Sequence, residues 1–144
     1  MKKRISLFLA VLLMFSLALP CFAEETSGPE PEPDIPEYTY AISAYAYLTI
    51  ESNGDGSIML CCQGVSGISS VTATIYLQRR INGMWRNIYI NGQDYLTRSA
   101  SGSLLATDID FDAGYADHRA KVVYHLVCST GSEIFTVYSN VDSR

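Results

Sequence analysis

The sequence lacks the short motifs that mark many enzymes. It contains neither a glycine-rich phosphate-binding loop nor a Gly-x-Ser-x-Gly nucleophile turn. Its two histidines, His118 and His125, have no cysteine or carboxylate at a convincing metal-ligand spacing. We therefore expect no zinc site and no cofactor, and we predict that the protein is not an enzyme.

Helical periodicity is almost absent from residues 38–144. Apolar and polar side chains alternate instead in short runs, and turn residues separate these runs about every ten positions. A stretch of this length can bury one hydrophobic core without help. The pattern predicts a single all-β domain, an antiparallel β-sandwich of about seven strands.

Only one long apolar run is present, Ile5–Leu19, and three basic residues precede it. With the small residue Ala23 behind it, the run has the layout of a secretory signal peptide, residues 1–23. It is shorter than the roughly 20 residues that a membrane-spanning helix needs. The alternatives are an uncleaved anchor and lipid attachment at Cys21, although Pro20 stands where such sites have a small residue. We expect a secreted chain that leaves the membrane after cleavage.

Basic residues are scarce once the signal peptide is removed. The chain has 10 Lys and Arg against 15 Asp and Glu, and removal of three basic residues leaves a net charge of −8. Nucleic acid and anionic membranes need a basic surface, so neither is an expected partner. Residues 24–37 hold six acidic residues, four prolines and one aliphatic side chain. This composition predicts a disordered Pro/Glu-rich spacer before the domain.

The dipeptide Asn82–Gly83 stands between two strand-like runs and is a strong signal for a hairpin turn. Residues paired across the hairpin share a face, so one face is apolar and the other polar and aromatic. The turn predicts five pairs: Ile81 with Met84, Arg80 with Trp85, Leu77 with Ile88, Tyr76 with Tyr89, and Ile75 with Ile90.

The polar face of this hairpin carries the only tryptophan of the chain. Outward aromatic side chains can stack on sugar rings or anchor protein partners. We therefore predict a binding surface formed by Tyr76, Arg80, Trp85 and Tyr89. The alternative is that these residues only cover the sheet, with Arg80 stacked on Trp85.

Further motifs are spread along the domain: Leu77-Gln78-Arg79, Asn82-Gly83, Trp85, Gly114-Tyr115, Arg119 and Lys121. The layout resembles a family of small secreted proteins of Gram-positive bacteria that have an immunoglobulin-like or fibronectin type III-like domain and no assigned function. The resemblance covers most of residues 41–140. It implies an immunoglobulin/fibronectin type III-like sandwich, with Tyr115 as the corner tyrosine before the penultimate strand. It implies no catalytic residues.

Three cysteines follow the signal peptide: Cys61, Cys62 and Cys128. Successive strand residues face opposite sides, and parity groups Cys62 and Cys128 with apolar neighbours. We predict a Cys62–Cys128 disulfide, whose separation of 66 residues is typical of immunoglobulin-like sandwiches. A bulge would give Cys61–Cys128 instead, and three reduced thiols are the other alternative. With one bridge formed, the remaining thiol predicts a disulfide-linked dimer.

Three aspartates alternate along one predicted strand, Asp108, Asp110 and Asp112, so their carboxylates face the same way. Calcium favours such oxygen clusters, which makes the run a candidate metal site. It does not fit an EF-hand loop, because Ala113 and Arg119 stand where Gly and Glu are needed. The alternative is that the run is the solvated face of its strand.

Taken together, these features favour a secreted, non-catalytic protein that binds an extracellular protein or glycan. One alternative is a small secreted enzyme or calcium-dependent module that uses the aspartate run, or an enzyme centred on Cys61. A structural envelope protein without a ligand is a third interpretation.

Overall fold

The computed structural model describes residues 38–144, and the predicted signal peptide and spacer lie outside the described residues. No helix long and apolar enough to cross a membrane occurs in this range. The all-β prediction is confirmed, and the range contains nine strands where about seven were predicted. They are β1 (Ala41–Ile50), β2 (Asp55–Gly64), β3 (Ile68–Ile81), β4 (Met84–Ile88), β5 (Leu96–Ser101), β6 (Leu104–Asp112), β7 (Asp117–Cys128), β8 (Gly131–Tyr138) and β9 (Asp142–Ser143).

The strands form two antiparallel sheets. Sheet A has the order β1-β2-β6, and sheet B has the order β4-β3-β7-β8. Strand β3 is long enough to serve two partners on one edge, with β5 along Ser70–Ile75 and β4 along Leu77–Ile81. The short strand β9 pairs with the start of β7. Strand β7 therefore lies in the middle of sheet B, between β3 and β8.

The β3–β4 hairpin has the predicted register up to Ile88. The pairs of Ile81 with Met84, Arg80 with Trp85 and Leu77 with Ile88 are all confirmed.

The last two predicted pairs, which involve Tyr89 and Ile90, are wrong. Ile75 pairs with Leu96 of β5, and Ile90 forms an isolated bridge with Gln93. The cause is a second Asn-Gly dipeptide, since Asn91 (φ 51°) and Gly92 (φ 78°) turn the chain away from β3.

The core contains apolar side chains from both sheets, an arrangement consistent with a β-sandwich. The Tyr124 hydroxyl on β7 joins the two sheets, because its single proton is shared between the main-chain carbonyl oxygens of Tyr45 (2.9 Å) and Cys61 (3.2 Å) in sheet A. The largest fully buried apolar side chains are Tyr124, Leu48, Ile58, Leu60, Ile75, Leu77, Ile90 and Leu126.

The outer edge of β1 is covered by side chains rather than by another strand. The Asn140 side chain accepts a hydrogen bond from the Leu48 N–H and donates one to the Leu48 carbonyl, both at 2.8 Å. Farther along, the Glu133 carboxylate accepts from the backbone N–H groups of Thr39–Ala41, at 2.7 to 3.2 Å. These contacts satisfy polar groups that an uncovered edge would leave free for another strand.

Tyr115 does not form the predicted tyrosine corner. It lies between β6 and β7 with 77% of its surface exposed. The Arg144 guanidinium carbon lies 4.4 Å from the centre of its ring. The tyrosine that links the two sheets is Tyr124, nine residues further along.

Candidate functional site: the aromatic–cation face of sheet B

Arg119 is the centre of a stack on the outer face of sheet B. Its guanidinium carbon lies 4.4 Å from the ring centre of Trp85 and 4.4 Å from that of Tyr138. Its Nε–H donates to Gln78 Oε1 (2.9 Å), and Gln78 Nε2 in turn donates to Asn87 Oδ1 (2.8 Å). The guanidinium is therefore held by aromatic rings and by a hydrogen-bond chain that crosses three strands.

The stack continues along the same face. Lys121 lies opposite Tyr138 in the ladder, and its Nζ is 5.7 Å from the ring centre of Tyr76. The Tyr76 ring in turn lies 5.8 Å from that of Tyr95, at an angle of 47°. We call this surface the aromatic–cation face, defined by Tyr76, Trp85, Arg119, Lys121 and Tyr138.

The four predicted binding residues do not all lie in the aromatic–cation face. Tyr76 and Trp85 lie in the aromatic–cation face. Tyr89 is 71% exposed and lines an adjoining cleft of about 310 Å³ together with Tyr76. Arg80 does not stack on Trp85 as the alternative predicted; it forms an ion pair with Asp117 (3.9 Å).

Arg119 contacts the Trp85 ring instead, although it comes from β7, two strands away. The sequence alone does not predict this contact, because the contact depends on the register between β3 and β7, in which Gln78 is opposite Arg119. The available signal was parity, since Arg119 and Lys121 alternate along one strand.

The aspartate run is exposed, as its alternation predicted. Asp110 and Asp112 line a cleft of about 670 Å³ with Glu51 and Asp55, while Asp108 lies farther along β6. Within residues 38–144, no three His, Cys, Asp or Glu side chains come together as a metal-binding group. The run therefore lies on the solvated face of its strand, and calcium binding by these aspartates stays a prediction.

All three cysteines are free thiols in the structure, so neither the Cys62–Cys128 bridge nor the Cys61–Cys128 bridge is formed. Cys62 is fully buried, as parity predicted, and burial raises its pKa to about 11. Cys128 ends β7, where its Sγ hydrogen-bonds with Thr130 Oγ1 (3.2 Å) and donates to the Gly131 carbonyl (3.3 Å). The thiol is thus engaged by the turn that follows β7 instead of a partner cysteine.

The thiols are expected to react with iodoacetamide in the order Cys128 first and Cys62 last. Hydrogen bonding with Thr130 lowers the pKa of Cys128, whereas burial raises that of Cys62. Peptide mass mapping of the native protein at several labelling times measures the order, and labelling after unfolding gives the total. Mutual protection of Cys128 and one other cysteine, abolished by reduction, would contradict the free-thiol arrangement.

His118 is a buried histidine on the core side of β7. Its Nδ1–H donates to the Ala116 carbonyl (2.8 Å), and its Nε2 is the only buried side-chain N or O atom of residues 38–144 without a partner. Burial lowers its pKa. A second proton on Nε2 would leave a charged donor without an acceptor, so the neutral ring is the stable form.

Acid is therefore expected to destabilise the domain through His118. Because its pKa in the folded state lies below the ordinary value of 6.5, the unfolded chain binds the proton first. The free energy of unfolding should then fall as the pH drops through about 6.5. Urea unfolding at a series of pH values measures this slope. His118→Gln should reduce it, and an unchanged slope in this variant would contradict the role of His118.

The chain matches no known family model, no curated protein and no solved structure. Its described part is defined by two features: an all-β fold of two antiparallel sheets, and an aromatic–cation face on one of them.

Proposed function

We propose that the chain is a secreted, non-catalytic binding protein with an immunoglobulin/fibronectin type III-like domain. The strand order supports the proposed domain type. Sheet A joins the first two strands to the late strand β6, and sheet B places β3 beside β7 and β8. Immunoglobulin-type sandwiches interleave their strands in this way.

The observation that carries the binding function is the position of Arg119 between Trp85 and Tyr138. Arg, Trp and Tyr are the residue types that contribute most often to binding hot spots. The hydrogen bond from Arg119 to Gln78 already restrains the guanidinium, so less side-chain entropy is lost when a partner binds.

The stack favours a protein partner over a glycan. A sugar ring stacks on an open aromatic face, but Arg119 covers one face of Trp85 and one face of Tyr138. The aromatic–cation face also presents the half-exposed Tyr138 side chain and the Arg119 guanidinium. Such groups suit the mixed polar and aromatic contacts of protein interfaces.

Binding to a panel of immobilised extracellular proteins, with this protein itself included, and to a glycan array tests this function. We expect capture by one or more panel proteins, and an affinity about 30-fold lower for Arg119→Ala, the effect of a hot-spot residue. Tyr115→Ala is the matched control, because it removes an exposed tyrosine outside both sheets and should bind normally. Absence of capture, or equal loss in the control, would contradict the proposal. Capture on the glycan array alone would replace the protein partner by a glycan.

Secretion is tested separately by the intact mass of the protein recovered from the culture medium. A signal peptide of residues 1–23 predicts a chain that begins at Glu24. A protein that stays with the cells at its full mass would contradict the secreted assignment.

A further inference from the structure

The outer faces of the two sheets carry opposite charge. Strands β1, β2 and β6 contain no Lys or Arg. The outward positions of sheet B carry Arg80, Arg119 and Lys121, whereas Arg79, Arg86 and Arg98 share the other side of the sheet with the buried residues His118 and Ala73. We call the outer surface of sheet A the acidic face, defined by Asp55, Asp108, Asp110 and Asp112. The aromatic–cation face, which contains Arg119 and Lys121, has the opposite charge.

These charges are not neutralised within residues 38–144. The only ion pair in this part of the chain joins Arg80 to Asp117. Arg119 and Lys121 therefore have no carboxylate partner here, and the four aspartates of the acidic face have no cationic partner. Unpaired surface charges of opposite sign on two faces of one molecule attract the opposite faces of neighbouring molecules.

The charged parts of the two faces lie at the same end of the domain. Asp112 ends β6, and β7 begins five residues later, close to Arg119. At the other end, both faces carry exposed apolar side chains, Leu104 on sheet A and Ile134 on sheet B. Two copies stacked in the same orientation would therefore oppose acidic to cationic groups and apolar to apolar ones.

We propose that the aromatic–cation face binds the acidic face of a second copy of this chain. The inference rests on the proposed function, because it names a partner for the same face. Each contact uses two different surfaces, so an assembly of any length still has one free surface of each kind, and further copies add head to tail. Salt screens exposed charges, so association should weaken as ionic strength rises.

Sedimentation velocity with face-specific variants tests the head-to-tail arrangement. The wild-type protein should form species larger than dimers as its concentration rises, and lose them at about 1 M salt. Arg119→Gln with Lys121→Gln disables one face, and Asp108→Asn with Asp110→Asn disables the other. Each double variant alone should be monomeric, and an equal mixture should stop at a 1:1 dimer, because one competent contact remains.

Control variants distinguish loss of the interface from a change in net charge and from loss of folding. Arg86→Gln with Arg98→Gln removes two positive charges at positions on the other side of sheet B, opposite Arg79 and Ala73, and should assemble like the wild type. Circular dichroism checks that each variant is folded, and Lys121→Gln alone repeats the test without changing the Arg119 stack. A wild-type protein that stays monomeric up to about 1 mM would overturn the inference. So would a mixture of the two double variants that forms no dimer.

Failure of self-association and failure of the proposed function are distinguishable. The Asp108→Asn with Asp110→Asn variant keeps the aromatic–cation face but cannot assemble. If it still captures an extracellular partner while the wild type is monomeric, the function stands and the second-copy inference falls.

Discussion

Replacing Tyr124 by alanine is expected to lower the free energy of unfolding by about 3–5 kcal/mol, the usual range for loss of a buried large aromatic side chain. The side chain is fully buried between the two sheets, so its loss leaves a cavity in the core. Its hydroxyl also loses two contacts that join β7 to sheet A. A domain of this size has only about 5–15 kcal/mol in total, so this loss removes a large share of its stability.

Two comparisons isolate the causes of this loss. Tyr124→Phe keeps the ring and removes the hydroxyl, and it should cost about 1 kcal/mol, a typical net value for one hydrogen bond. Burial raises the pKa of Tyr124, so the hydroxyl stays a donor throughout the working pH range. Tyr89→Ala removes an exposed ring and should change stability by less than about 0.5 kcal/mol. Urea unfolding of the three variants measures the differences, and equal losses for Tyr124→Ala and Tyr89→Ala would contradict the role of Tyr124.

Asn140→Ala is expected to cost about 1–3 kcal/mol, the penalty for leaving buried backbone groups without partners. Asn140 is the side chain that satisfies both the N–H and the carbonyl of Leu48, a residue with no exposed surface. Without it, part of the β1 edge becomes open to pairing with another chain, so we also expect faster aggregation.

Hydrogen exchange localises the effect of Asn140→Ala. The Leu48 amide should exchange faster in the variant, while the Val122 amide in the middle of sheet B should keep its protection. Thr136→Ala, at an exposed position of β8, is the control and should leave both amides unchanged. Unaltered exchange at Leu48 in Asn140→Ala would show that water or another group replaces the side chain without cost.

Local patterns in the sequence predict the parts of this fold that depend on neighbouring residues. Alternation places Cys62 inside and the aspartates outside, because side-chain direction in a strand follows parity alone. The Asn82–Gly83 turn fixes the register of β3 and β4, because a two-residue turn determines which residues of the two strands are opposite each other. The second turn, at Asn91–Gly92, ends the hairpin earlier than extrapolation from the first turn predicts.

The parts that could not be predicted depend on contacts between distant residues. The partner of Trp85 is Arg119, 34 positions away, and only the β3–β7 register brings them together. The environment of Cys128 could not be predicted either. Its thiol hydrogen-bonds with residues of the turn after β7, and strand parity gives no information about turns. Long-range strand pairing is set by the packing of the whole domain, so local periodicity leaves it open.

The side chains that cover β1 also constrain when the domain can fold. Asn140 and Leu48 are 92 positions apart, as are Glu133 and Ala41. A chain emerging from the ribosome therefore cannot cover the outer edge of β1 until almost the whole domain has been synthesised. Contacts between residues so far apart in sequence also form slowly.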